Sequence, residues 1–279
     1  MRRHTNILIL LLLTGLCISA GAQNNPYKID DSLYPIFQRA IKWRTQPQGL
    51  LIADTLYAEA TQKKDKKAQC LALTIPVSFY LSTNNYEKLE QAATRAKEEA
   101  RKNNYLQYYY SACTNEINCL LNNGHSLRAL QKAEEMKIQA FKDQHEYGIF
   151  SCIFTLGNIY YMRQNREVAT EYYKNALEYM LKNLPDQDPT YMYINLSEYY
   201  RDKGEGEVAL EYAEKAAKVA KTNESRVASL LNKCEVLYSM KRINDFNACY
   251  DECTQVIEQY GVIRKTAVQR LHIYKLILN

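Results

Sequence analysis

The 279-residue sequence holds only nine glycines, six prolines, four histidines and one tryptophan, and each shortage excludes something. So little Gly and Pro, set against 24 Tyr and abundant Ala, Leu, Glu and Lys, argues against a strand-rich fold with its many turns. Helices joined by short connections fit instead. Beyond the N-terminal segment the histidines are His125, His145 and His272, placed at a turn, a connector and a terminal segment. His145-Glu146 is followed by Tyr147 and Gly148, without the second histidine that a helical zinc site needs four residues on. No GxSxG, P-loop or dinucleotide glycine fingerprint occurs, and the Glu98-Glu99 and Glu134-Glu135 pairs read as solvated helix surface. No catalytic, cofactor-binding or metal-binding residue is assigned, and the chain does not read as an enzyme.

Charge of one sign is lacking too. The formal charge of +5 falls to +3 once Arg2 and Arg3 are set aside, and the one dense basic run, Lys63-Lys64-Asp65-Lys66-Lys67, reads as a helix connection. A nucleic-acid binder would carry a basic face. Of the eight cysteines Cys17 falls in the N-terminal segment, and the remaining Cys70, Cys113, Cys119, Cys152, Cys234, Cys249 and Cys253 form an odd, irregularly spaced set with no CxxC, which reads as small apolar packing rather than a disulfide framework.

Long apolar runs are confined to the N-terminus. Arg2-Arg3, an apolar stretch from Ile7 to Ala20 and the exit Ala20-Gly21-Ala22 have the three parts of a secretory signal, so residues 1–22 are expected to be cleaved before Gln23. The stretch is shorter than the roughly 18 to 20 residues of a comfortable membrane span. Leu16 before Cys17 argues against lipidation. The expected location is periplasmic or secreted, with no stable membrane span after cleavage.

What the sequence does have is a period. Windows starting at Cys70, Tyr110, Phe150 and Thr190 place helix-breaking residues in step, at Asn84-Asn85, Gly124-His125, Gln164-Asn165 and Gly204-Glu205-Gly206. The period is 40 residues, shortening to 37 in the last hairpin, and each unit reads as a helical hairpin. Asp188-Pro189 reads as an N-cap followed by proline at the first helical position, and Asn84 with Glu87 as a capping box. Pro76, inside a first helix, predicts a kink.

The best-marked unit carries Leu156-Gly157-Asn158-Ile159-Tyr160, then Ala169, Tyr173 and Ala176. The next carries Tyr193, Leu196, Ser197, Tyr200, Ala209, Ala213 and Ala216. Here the chain resembles the tetratricopeptide repeat (TPR) family, whose signature is W-x2-L-G-x2-Y followed by A-x3-F. The resemblance covers about residues 33–260, although the family's unit is 34 residues and usually ends in proline. Small residues at Gly157, Ser197, Ala169 and Ala209 suit a close crossing of antiparallel helices. The resemblance implies an all-α fold, a right-handed α-α superhelix built as a TPR-like solenoid. Its divisions would be an N-terminal arm at 23–32, about six hairpins at 33–260 and a C-terminal capping helix at 261–279.

In this family the first helices line a concave groove. The register then assigns Asn118, Asn122, Phe154, Asn158, Tyr161, Tyr191, Glu198, Arg201 and Tyr238 as the partner-binding residues, with Leu231 and Glu235 beside them. The partner expected is a protein or peptide. Ser111, Thr114, Asn115, Ser151 and Thr155 beside the asparagines provide no basic clamp for a terminal carboxylate. An alternative is the sensory or ligand-binding part of a bacterial envelope signalling system, shortened before a membrane span and effector. The apolar tail Leu276-Ile277-Leu278 also leaves a homodimer contact through the last helix open.

Overall fold

The structure, a computed structural model, describes residues 25–260 and 265–278. The expected signal segment and its cleavage point before Gln23 lie outside the described residues. Among these residues the chain forms thirteen α-helices and no strand. They fall into two compact units, with the division along the chain between Asn165 and Arg166. The first unit holds α1 (Tyr34–Lys42), α2 (Pro47–Gln62), α3 (Lys66–Ser82), α4 (Tyr86–Lys102), α5 (Leu106–Asn122), α6 (Ser126–Lys142) and α7 (Glu146–Met162). The second holds α8 (Arg166–Asn183), α9 (Thr190–Lys203), α10 (Gly206–Val219), α11 (Asn223–Ser239), α12 (Ile243–Tyr260) and α13 (Lys265–Leu278).

One device repeats at the helix ends. Lys64, Asn84, Asn104, Gly124, Gln144, Gln164, Gly204 and Lys241 all take positive φ, and the first six stand 20 residues apart. At each, the residue's own N–H bonds the carbonyl three back, and the next N–H bonds the carbonyl five further back, as in Gly124 to Leu121 and His125 to Leu120. This is the paired bonding that satisfies the last carbonyls of a helix and reverses the chain in three residues. The 40-residue period is therefore two near-equal halves of a 17-residue helix and a three-residue turn through most of the first unit.

Two capping expectations need correcting by one residue. Asn85, not Asn84, caps α4, its side chain accepting from Lys88 N, because Asn84 takes the left-handed turn conformation with φ of 53°. At α9, Pro189 is itself the N-cap and Thr190 the first helical residue. Asp188 accepts from the Thr190 backbone N–H at 3.0 Å and from its hydroxyl at 2.5 Å. At the predicted kink site α3 runs from Lys66 to Ser82 as one helix, with Pro76 inside it.

Packing sorts the helices into two layers. In the first unit α1 touches α3, α3 touches α5 and α5 touches α7; in the second, α9 touches α11 and α11 touches α13. Among the described residues no such helix-to-helix approach joins α2 with α4, α4 with α6 or α10 with α12. Those helices reach one another through long side chains, as in the 3.2 Å Arg128–Glu90 pair. Within each unit the first helices of the hairpins are thus the crowded inner layer and the second helices the spread outer one.

The second helices turn alanines inward: Ala53 and Ala60, Ala93 and Ala100, Ala129 and Ala133, Ala209 and Ala213 are all buried. Small faces let two backbones approach closely enough to exclude water. Ser197 shows how closely, since its hydroxyl donates to the Ala209 carbonyl of the facing helix at 2.8 Å. Larger side chains fill the gaps, Phe37, Leu56, Leu71 and Ile75 in the first unit and Phe246, Val236 and Leu230 in the second.

Candidate partner-binding face

The inner layer of each unit is built from first-helix residues, and the two units furnish it differently. On α5 and α7 the polar residues are interior: Asn118 is 1% exposed, Thr155 0%, Asn158 5% and Asn115 7%, with Phe154 at 2%. The Asn118 Oδ1, Thr114 Oγ1 and Thr155 Oγ1 atoms are buried with no hydrogen-bond partner among the described residues. Of the expected first-unit positions only Asn122 is exposed, and Tyr161 is half-buried. Side chains with so little exposure cannot present an amide to an arriving peptide while the helices stay packed.

On α9 and α11 the same register gives a half-open surface. Tyr191, Glu198, Arg201, Glu235 and Tyr238 are all partly exposed. Arg201 ties the two helices together, with Nη1 3.0 Å from Glu235 Oε2 and Nη2 3.1 Å from Asp202 Oδ1. Burial works against the guanidinium's charge, but Glu198, Glu235 and Asp202 outweigh it and raise its pKa. Tyr238 stacks on Tyr274 of α13, centroids 4.2 Å apart and planes 20° apart. α13 is pinned there by buried Leu271, by a 2.6 Å contact between Tyr250 Oη and His272 Nδ1, and by Lys275 Nζ on Asn247 Oδ1 at 2.6 Å. Its outward Ile273, Leu276 and Ile277 are exposed.

Three features of consequence escaped the sequence reading. Glu116, 3% exposed, sits between Lys97 Nζ at 2.8 Å and Lys132 Nζ at 2.5 Å. Burial alone would push its carboxyl up, yet the hydrogen bonds and charges of Lys132 and Lys97 hold it below its ordinary value. A signal was present, because the 40-residue register puts Glu116 where the later hairpins carry Leu156 and Leu196. The second feature is Asp143, which accepts from Tyr110 Oη at 2.5 Å, Gln139 at 2.8 Å and Arg101 at 3.0 Å. Burial raises its carboxyl, and those bonds more than reverse the effect.

The third is His145, stacked on the Tyr110 ring at 5.2 Å and accepting the Gly148 N–H at Nδ1. Burial lowers its pKa against the pull of Asp143 and Glu146, which favours the neutral ring that acceptance requires. A side chain at Gly148 would bring its Cβ within 2.7 Å of the Tyr110 ring, so these groups close the α5–α7 contact.

Each unit also has a shallow cleft, between α8 and α9 in the second and among α2, α3 and α4 in the first. One, of about 320 Å³, is lined by Thr170, Glu171, Lys174, Tyr199, Tyr200 and Lys203. The other, of about 380 Å³, is lined by Asp54, Pro76, Tyr80, Lys88, Gln91 and Arg95. Among the described residues no cluster of three or more His, Cys, Asp or Glu could hold a metal ion, and no helix is long and apolar enough to cross a membrane.

These observations define the class: an all-α solenoid of helical hairpins. Among solved structures the chain is similar to BtubC from P. vanneervenii at 14% identity, covering 85% of this chain and 96% of that one with a TM-score of 0.55. It is similar to a Rap protein complexed with competence and sporulation factor at 16% identity, covering 88% and 75%, TM-score 0.55. A third likeness is the apo form of RapI, at 16% identity, 88% and 96% coverage and a TM-score of 0.50. No protein-family model matches the chain, and no curated protein matches it in sequence. At such identities the likeness concerns the fold.

Proposed function

We propose that this protein is an exported scaffold of TPR type that binds a peptide or protein segment, and that the α9–α11 face of its second unit makes the principal contact. The observation that carries the reading is the half-open set Tyr191, Glu198, Arg201, Glu235 and Tyr238 on adjoining first helices. Tyrosines offer apolar area with a polar tip at modest entropy cost, and Arg201 supplies a planar donor for backbone carbonyls or an acidic side chain. A half-buried guanidinium already oriented by carboxylates loses little freedom when a ligand docks. That a Rap protein was solved with a bound factor supports a binding role for such a fold without extending that factor to this chain. Export to the bacterial envelope rests on the N-terminal segment alone.

The test places a photo-crosslinking side chain at Tyr191 and, separately, at the exposed outer residue Glu178. After incubation with envelope extract the Tyr191 probe should give a defined adduct that weakens at least tenfold when Arg201→Ala is added, and the Glu178 probe should give none. Equal adducts from both positions would overturn the assignment of this face.

A further inference from the structure

The seven cysteines among the described residues are all buried as free thiols. One pair is set apart. Cys234 Sγ on α11 lies 3.0 Å from Cys249 Sγ on α12, and among the described cysteines this is the one sulfur–sulfur contact within hydrogen-bonding range. Cys234 is 0% exposed and Cys249 5%, and both belong to the core that also holds Leu230, Phe246, Cys253 and Leu271. The separation is about 1 Å beyond a sulfur–sulfur bond. The repeat register explains the approach: Cys234 occupies the close-crossing position filled by Gly157 and Ser197 in the preceding hairpins. Where two helices nearly touch, their side chains come within reach of a disulfide. Cys249 Sγ also rests 3.5 Å from the Leu230 carbonyl, which fixes the direction of its Cβ–Sγ bond.

We infer that Cys234 and Cys249 are joined by a disulfide that closes the last hairpin, formed while the chain folds. The thiolate is the attacking species, and the Cys249 thiol together with burial raises the Cys234 pKa, so packed Cys234 is a poor nucleophile. In the unpacked chain, the Cys234 thiolate attacks one sulfur of a small-molecule disulfide and expels the other as a thiolate. Cys249, losing its proton, then attacks Cys234 Sγ in the mixed disulfide and releases the second thiol. The two protein thiols lose two electrons and two protons, and the reagent disulfide is reduced to two thiols. Cys253, one helical turn beyond Cys249, stays reduced.

The test denatures and reduces the full chain, refolds it with reduced and oxidised glutathione, blocks free thiols and maps tryptic peptides under non-reducing conditions. Trypsin cuts after Lys233, Lys241 and Arg264, so Cys234 leaves in one peptide while Cys249 and Cys253 share another. Cys253→Ser removes that ambiguity. The expected result is a linked peptide pair in the native sequence and in Cys253→Ser, absent in Cys249→Ser. The oxidised chain should melt about 6–12 °C above the reduced one, a gap lost in Cys249→Ser. Blocked thiols at both Cys234 and Cys249, or a link from Cys234 that disappears in Cys253→Ser, would overturn it. If Cys249→Ser does not fold, the link in the folded Cys253→Ser chain still decides the matter.

Discussion

The two units place different chemistry at matching repeat positions. Asn118 and Asn158 in the first unit are buried on α5 and α7, whereas Glu198 and Glu235 at the same register in the second unit are half exposed on α9 and α11. The surroundings decide the difference. Short side chains such as Thr114, Ser151 and Thr155 let α5 and α7 enclose the asparagines, while the longer Tyr191, Arg201 and Glu235 of α9 and α11 stay partly exposed, with Arg201 and Glu235 paired to each other. A groove position is therefore not a property of the repeat. It follows from what packs beside it.

If the first unit is the rigid partner in this comparison, the largest effect should come from exposing its buried charge. Replacing both Lys97 and Lys132 by Met leaves the Glu116 carboxylate uncompensated and should cost about 3–5 kcal/mol in guanidinium unfolding. Adding Glu116→Gln to that variant should recover part of the loss, and no recovery would show that the lysines act only through their packing. Gly148→Ala should cost about 1–3 kcal/mol, because the Tyr110 ring must yield to the new Cβ.

Acidity should separate the units next. His145, Glu116 and Asp143 all have pKa values held below their ordinary 6.5, 4.5 and 3.8. A depressed folded pKa contributes stability that is present above the unfolded value and lost as pH falls through the folded one. Melting followed by hydrogen exchange should show the first unit weakening below pH 6.5 and more steeply below 4.5. In Glu116→Gln the steeper phase should shrink.

Changes at the second unit's face should be milder for stability and larger for binding. Arg201→Ala with Tyr191→Ala should shift stability by about 1–2 kcal/mol, since the carboxylates left behind are still reached by water. Loss of several kcal/mol would make this face a structural element. The smallest effect expected is a gain: Lys64→Gly should stabilise by about 0.5–1 kcal/mol in thermal melts, because Lys64 is exposed and holds φ at 58°.

Much of the fold was legible. Gly124, Gly204 and Asn84-Asn85 announce their turns, and the inward alanines announce the close faces. The turns at Gln144 and Lys241 carry no such signal, because residues of any type can be held left-handed when the bonds on either side are strong enough. Less of the candidate site could be read. Tyr191, Glu198, Arg201 and Tyr238 are partly open as a groove reading requires, but the burial of Asn118, Phe154 and Asn158 depends on neighbours from another helix. Glu235, whose pairing with Arg201 organises the face, was legible as a position and not as a partner.

By itself, then, the sequence determined the all-helical hairpin array and its register, because periodicity and turn chemistry are local and repeat along the chain. The tertiary structure alone decided which inner positions are open, which carboxylate is buried between two lysines, and which two of the seven described cysteines meet. Those outcomes depend on distances between residues that are remote in sequence, and the local pattern leaves such distances unspecified.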